Sequence, residues 1–124
     1  MNYTHKYLKL NNKIYSTIRK NKKPTKRVNA IERETIKGKF VHYARIISIE
    51  KVKLSDLPLG LLLMDCLYND SDLPTRKECY KLFQSFYKKV IDFENQEWYL
   101  FILEKLPAKK ESQIINKIVQ SVVV

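Results

Sequence analysis

A fifteen-residue stretch, Gly38 to Val52, constrains this chain more than any other segment. Within it Phe40, His42, Ala44, Ile46 and Ser48 alternate with Val41, Tyr43, Arg45, Ile47 and Ile49. Period two in β-branched and aromatic residues predicts one long bent strand, or two in succession. A strand of that length is stable only inside a sheet, so the rest of the chain must supply its neighbours. Trp98 to Leu106 is nearly all apolar, as expected of a central strand covered on both faces.

The remaining segments predict an α+β pattern. Tyr3 to Leu10 reads as a short strand, and Asn11 or Asn12 as the cap of a helix to about Lys20 with Ile14, Tyr15 and Ile18 on one face. Asn21 suits the left-handed residue that would end it. Pro24 keeps the next stretch out of helix, and Lys26 to Ala30 reads as a strand. Ser55-Asp56-Leu57-Pro58 opens a helix to about Tyr68, and Asn69 to Pro74 is a polar break. Thr75 caps a second helix, with Glu78 in the capping-box position and Cys79, Leu82, Phe83 and Phe86 at helical spacing. Val90 to Phe93 reads as a further strand. Beyond Pro107, Ile114, Ile115, Ile118, Val119 and Val122 mark an amphipathic helix over Ser112 to Val124.

At 124 residues with only two Gly and four Pro, the chain fits one domain and has little flexible linker. Residues 1–106 form the expected domain and 107–124 a helical tail. No apolar run approaches the roughly 18 residues of a membrane span. No apolar stretch follows the first charges, so a secretory signal is not expected, and the expected location is the cytoplasm. Cys66 and Cys79, the only cysteines, read as buried structural thiols. Neither has a second Cys or His at ligand spacing, so no metal site and no cofactor is expected. Asp70 and Asp72, near Asp65, read as solvated loop acids.

Charge divides the chain. Residues 1–53 carry 15 Lys/Arg against three acids, a net of +12, whereas residues 54–124 carry nine against ten. The excess peaks in Arg19, Lys20, Lys22, Lys23, Lys26 and Arg27, six cations in nine residues. Such a cluster attracts phosphate backbones. The bland alternatives are a solvated loop or an acidic partner protein. RNA or another single-stranded nucleic acid is the expected partner, held by this turn together with Arg45 and Tyr43. Tyr3, Tyr7, Tyr15, Tyr87 and Trp98 stand either as stacking rings or as core, Trp98 as core. His42, within the alternating strand, reads as a structural residue or an RNA contact. The apolar tail also allows a homodimer through the C-terminal helix.

The order of these segments resembles the ASCH domains of the PUA-like superfamily. The resemblance rests on Tyr7-Leu8-Lys9-Leu10 and the turn Lys22-Lys23-Pro24-Thr25-Lys26-Arg27. It extends to Val52-Lys53-Leu54-Ser55-Asp56-Leu57, then Met64-Asp65, and closes on Glu97-Trp98-Tyr99-Leu100-Phe101-Ile102-Leu103. It implies a small β-barrel flanked by helices, with a cleft between them and an association with RNA. A subset of such domains resembles amidohydrolases of acetylcytidine, and others are described as ribonucleases. Carried over, Lys22, Thr25 and Asp65 fall on that subset's Lys, Thr and Glu. In that chemistry Thr25 would be nucleophile, Lys22 a base lowered by neighbouring cations, and Asp65 the group that orients it.

Overall fold

The computed structural model describes residues 1–67 and 73–107. The long alternating segment is one strand there, β4 (Lys39–Lys53). Around it stand β1 (Asn2–Tyr3), β2 (Ile14–Arg19), β3 (Ile31–Ile36) and β5 (Glu97–Lys105), in the order β1-β3-β4-β5-β2. All pairings are antiparallel except β1 with β3. Register shifts at Glu34/Thr35 and at Ile46/Ser48 mark irregularities where extra residues enter β4. Bulges of that kind bend a strand and raise its twist, and the sheet curls into a half-barrel. Helices α1 (Leu59–Met64) and α2 (Arg76–Ser85) complete a mixed α+β fold.

β5 is central, and its alternation builds two cores. Trp98 and Leu100 face the helices and join Ile18, Leu54, Leu62, Cys79 and Phe83. Phe101 and Leu103 face the other way and join Tyr3, Tyr7, Leu10, Tyr15, Ala44 and Ile46. Burial on both faces is why this strand reads as a continuous apolar run. Thr75 caps α2 as its sequence predicts: its side chain accepts from the Glu78 N–H while Glu78 accepts from the Thr75 N–H. Cys66 and Cys79 are buried free thiols, and burial pushes both pKa values up. No described helix is long and apolar enough to cross a membrane.

Several expectations are corrected. The helix expected from Asn12 to Lys20 is strand β2, paired residue for residue with β5 from Ile14↔Glu104 to Arg19↔Tyr99. A spacing of four, as from Ile14 to Ile18, satisfies period two as well as a helix face, and Ile-Tyr-Ser-Thr-Ile is β-branched and aromatic. The strand expected over Tyr3 to Leu10 is only Asn2–Tyr3, followed by a 3₁₀ turn at Leu8–Asn11. Lys26 to Ala30 is turn, with Lys26 N–H donating to Lys23 O and Ala30 N–H to Arg27 O. The strand begins one residue later, at Ile31, and its charged middle (Glu32, Arg33, Glu34) hides it from hydropathy.

Val90 to Phe93 is also not a strand. Gln84 accepts the Ile91 N–H, Asp92 caps the turn that follows, and Phe93 stacks on Tyr80 at 4.4 Å. The first helix ends at Met64, with Asp65 as its C-cap, four residues short of Tyr68. Asp70, Asp72, the expected C-terminal helix and the homodimer through it lie outside the described residues.

Candidate nucleic-acid interface

The 3₁₀ turn at Leu8–Asn11 follows β1 and is tied to the end of α1, where the Leu8 N–H donates to Leu67 O at 2.9 Å. That tie sets Lys9 opposite Asp65. Lys9 Nζ donates to Asp65 Oδ1 and, at 2.9 Å, to Ser16 O. Asp65 Oδ2 accepts the Ile18 N–H at 2.6 Å. Both side chains are buried, and burial lowers the Lys9 pKa while the Asp65 carboxylate opposes the shift. Lys9 Nζ also lies 5.1 Å from the Tyr3 ring centroid and 5.6 Å from that of Tyr7.

This pair forms the floor of a cleft of about 300 Å³ between the sheet and α2. β1 and the chain after it contribute Asn2, Tyr3, Thr4 and Tyr7; β2 contributes Thr17, Ile18 and Arg19; the helical side contributes Phe83, Phe86 and Tyr87. Arg19 stands over the Tyr3 ring at 4.9 Å and donates through Nη1 to Asn2 O at 3.1 Å. Its buried Nε has no acceptor among the described residues. Lys20 stands over the Tyr87 ring, also at 4.9 Å. Two cations, Lys9 and Arg19, and one carboxylate line the cleft together with five aromatic rings.

Beyond the cleft a second polar network fills the sheet's inner face. Glu34, fully buried, accepts from Tyr3 OH at 2.9 Å and Tyr15 OH at 2.7 Å, and its other oxygen meets the Met1 α-amino group. Because the single Tyr15 proton goes to Glu34, the His42 Nε2 at 2.9 Å is the donor to Tyr15 Oη. His42 is thus a structural residue of this network, one of the two roles its place in the strand allowed.

Burial raises the pKa of Tyr3, Tyr7, Tyr15 and Tyr87, with Glu34 adding to the shift of Tyr3 and Tyr15. Unfolded tyrosines release their protons near pH 10.0, while these hold theirs in the fold. The stability they contribute is therefore present below that pH and lost as pH rises above it. Lys9 has the opposite sign, but it is one group against four tyrosines and the two buried thiols, whose raised pKa values act in the same direction. The chain is expected to unfold cooperatively above about pH 10. Part of its phenolate absorbance should rise together with loss of circular dichroism. Full phenolate absorbance with the dichroism intact would contradict this.

The residues expected to bind nucleic acid fall in three places. Arg19 and Lys20 edge the cleft. Lys22, Lys23 and Arg27 are exposed on the turn after β2 and form no ion pair with a described residue, whereas Lys26 pairs with Glu32. Arg45 and Tyr43 lie on β4, where Arg45 donates to Asn29 Oδ1 at 2.7 Å and pairs with Glu104 at 3.4 Å. Of Lys22, Thr25 and Asp65, only Asp65 lines the cleft; Lys22 and Thr25 are exposed on the turn. Asp65 does not face solvent, because Lys9 and the Ile18 N–H draw it inward.

Lys9 stands within Tyr7-Leu8-Lys9-Leu10 but escaped sequence reasoning as a site residue. It is one lysine among 24 Lys/Arg, and only the Leu8–Leu67 tie makes it the partner of Asp65. Among the described residues no three His, Cys, Asp or Glu side chains stand together as a metal site. No family model, no curated protein and no solved structure matches this chain, so its description rests on the curled sheet, the cleft and the basic turn themselves.

Proposed function

We propose that this chain binds single-stranded nucleic acid, RNA foremost, through the turn Arg19 to Arg27 and the cleft mouth beside it. One observation carries the reading: the exposed cations Lys22, Lys23 and Arg27 lie on the turn that directly follows Arg19 and Lys20, which sit on the cleft rings Tyr3 and Tyr87. Unpaired cations next to aromatic rings suit a phosphate chain whose bases are free to stack. The resemblance to ASCH domains of the PUA-like superfamily points the same way. The test is fluorescence anisotropy with labelled single-stranded RNA across a salt series, for the wild type and the Lys22→Ala/Arg27→Ala variant. Two lost phosphate contacts should lower the salt slope by roughly 1.4, at about 0.7 per contact on a single strand. Absence of binding even at low salt would refute the proposal.

A second reading, hydrolysis of a modified nucleoside or an RNA strand, is favoured by one observation. Asp65 and a lysine of lowered pKa, Lys9, share the floor of the cleft. That reading expects turnover that disappears in Lys9→Met/Asp65→Leu, which keeps the fold, and survives in Lys22→Ala and Thr25→Ala, whose side chains lie outside the cleft.

A further inference from the structure

β3 and β4 meet in a two-residue turn, Lys37-Gly38, since Ile36 pairs with Lys39. Both turn residues have positive φ, 50° at Lys37 and 82° at Gly38. Turns of this hand favour Asn or Gly at the first position, because a longer side chain there carries a steric cost. This chain holds a lysine in that place and clamps it. The Lys37 N–H donates to Tyr3 O at 2.8 Å, and the Gly38 N–H to Asn2 Oδ1 at 2.9 Å. The result is a rigid tip that presents Lys37 to solvent.

Beside the tip, planar groups already pack together. The Arg33 guanidinium lies 5.1 Å from the Phe40 ring centroid, and Phe40 packs on Tyr43 at 5.1 Å. Phe40 is 43% exposed, and Arg33, Lys37 and Lys39 of the same hairpin are exposed too. The two acids of β3 are engaged elsewhere, Glu34 in the buried network and Glu32 with Lys26. β3 itself joins the basic turn to this tip, a span of six residues or roughly 20 Å.

We infer that the β3–β4 hairpin is a second contact for the single strand, a base stacking on the Arg33–Phe40 ladder while Lys37 meets a phosphate. Charge identifies the occupant. An exposed aromatic ring under a guanidinium, with two further exposed lysines at the adjoining tip, fits a polyanion with planar bases, because guanidinium and aromatic planes both stack bases. The inference rests on the proposed binding of nucleic acid, which supplies the rest of the strand.

Two variants separate the alternatives, each measured by anisotropy with a fluorescein-labelled oligouridylate and by thermal melting. Lys37→Asn suits the positive φ and should melt at or above the wild-type temperature, while its salt slope falls by about 0.7. Arg33→Lys keeps the charge but loses the plane, so its slope should hold while affinity drops about fivefold or more. If the wild type binds, Lys22→Ala/Arg27→Ala weakens it, and both hairpin variants bind like wild type, the hairpin inference fails alone. If the wild type binds no oligonucleotide, the functional proposal fails, and this inference with it.

Discussion

The Asp65→Ala variant is expected to lose about 3–5 kcal/mol of stability, enough to unfold a chain of ordinary margin. The loss comes from what is left behind. Lys9 Nζ is buried and reaches only Ser16 O and the Asp65 carboxylate among the described acceptors, so removing Asp65 strands an ammonium out of water. The Ile18 N–H loses its acceptor too. Urea denaturation followed by circular dichroism measures the difference. Lys9→Met/Asp65→Leu, which removes both charges into similar volume, should recover most of the loss, because a buried pair is often no more stabilising than a packed apolar one. An Asp65→Ala midpoint equal to wild type would show that water reaches Lys9 and that the floor of the cleft is not closed.

Trp98→Ala should be comparably severe, about 3–5 kcal/mol. Trp98 has no exposed surface and packs on Phe83 at 5.7 Å and Tyr87 at 5.9 Å, where β5 meets α2. Truncation leaves a cavity between sheet and helix and removes the support behind Tyr87, on which Lys20 sits. Nucleic-acid affinity should therefore fall along with stability. Trp98→Phe is the informative companion. The indole N–H has no acceptor among the described residues, and such a buried donor costs about 1–3 kcal/mol. Phe removes that donor while filling much of the space, so its loss should be well under half that of Ala. Equal losses for Phe and Ala in urea titrations would mean that the indole shape, and not its volume, holds the helix.

Much of the sheet was legible in the chain. The alternation through β4 and the continuous apolar run of β5 are consequences of strand geometry, since side chains leave the pleat on opposite faces every residue. The Thr75/Glu78 capping box is equally local, needing only atoms three residues apart. Concentration of positive charge before residue 54 is a property of composition and survives any folding.

Where local signals compete, partners decide. The residues of β2 fit a helix face or a strand, and only β5, whose paired residues stand 80 to 90 positions later in sequence, selects the strand by offering its edge. β3 was hidden because its inward groups are Glu32 and Glu34, acids that can be buried only where Lys26, Tyr3 and Tyr15 arrive to meet them. The site shows the same division. That Arg19 to Arg27 attracts anions follows from the sequence alone, because charge acts at a distance. That Lys9 and Asp65, 56 residues apart, form one buried pair at the base of an aromatic cleft belongs to the tertiary structure, because a contact of that kind exists only where the chain returns upon itself.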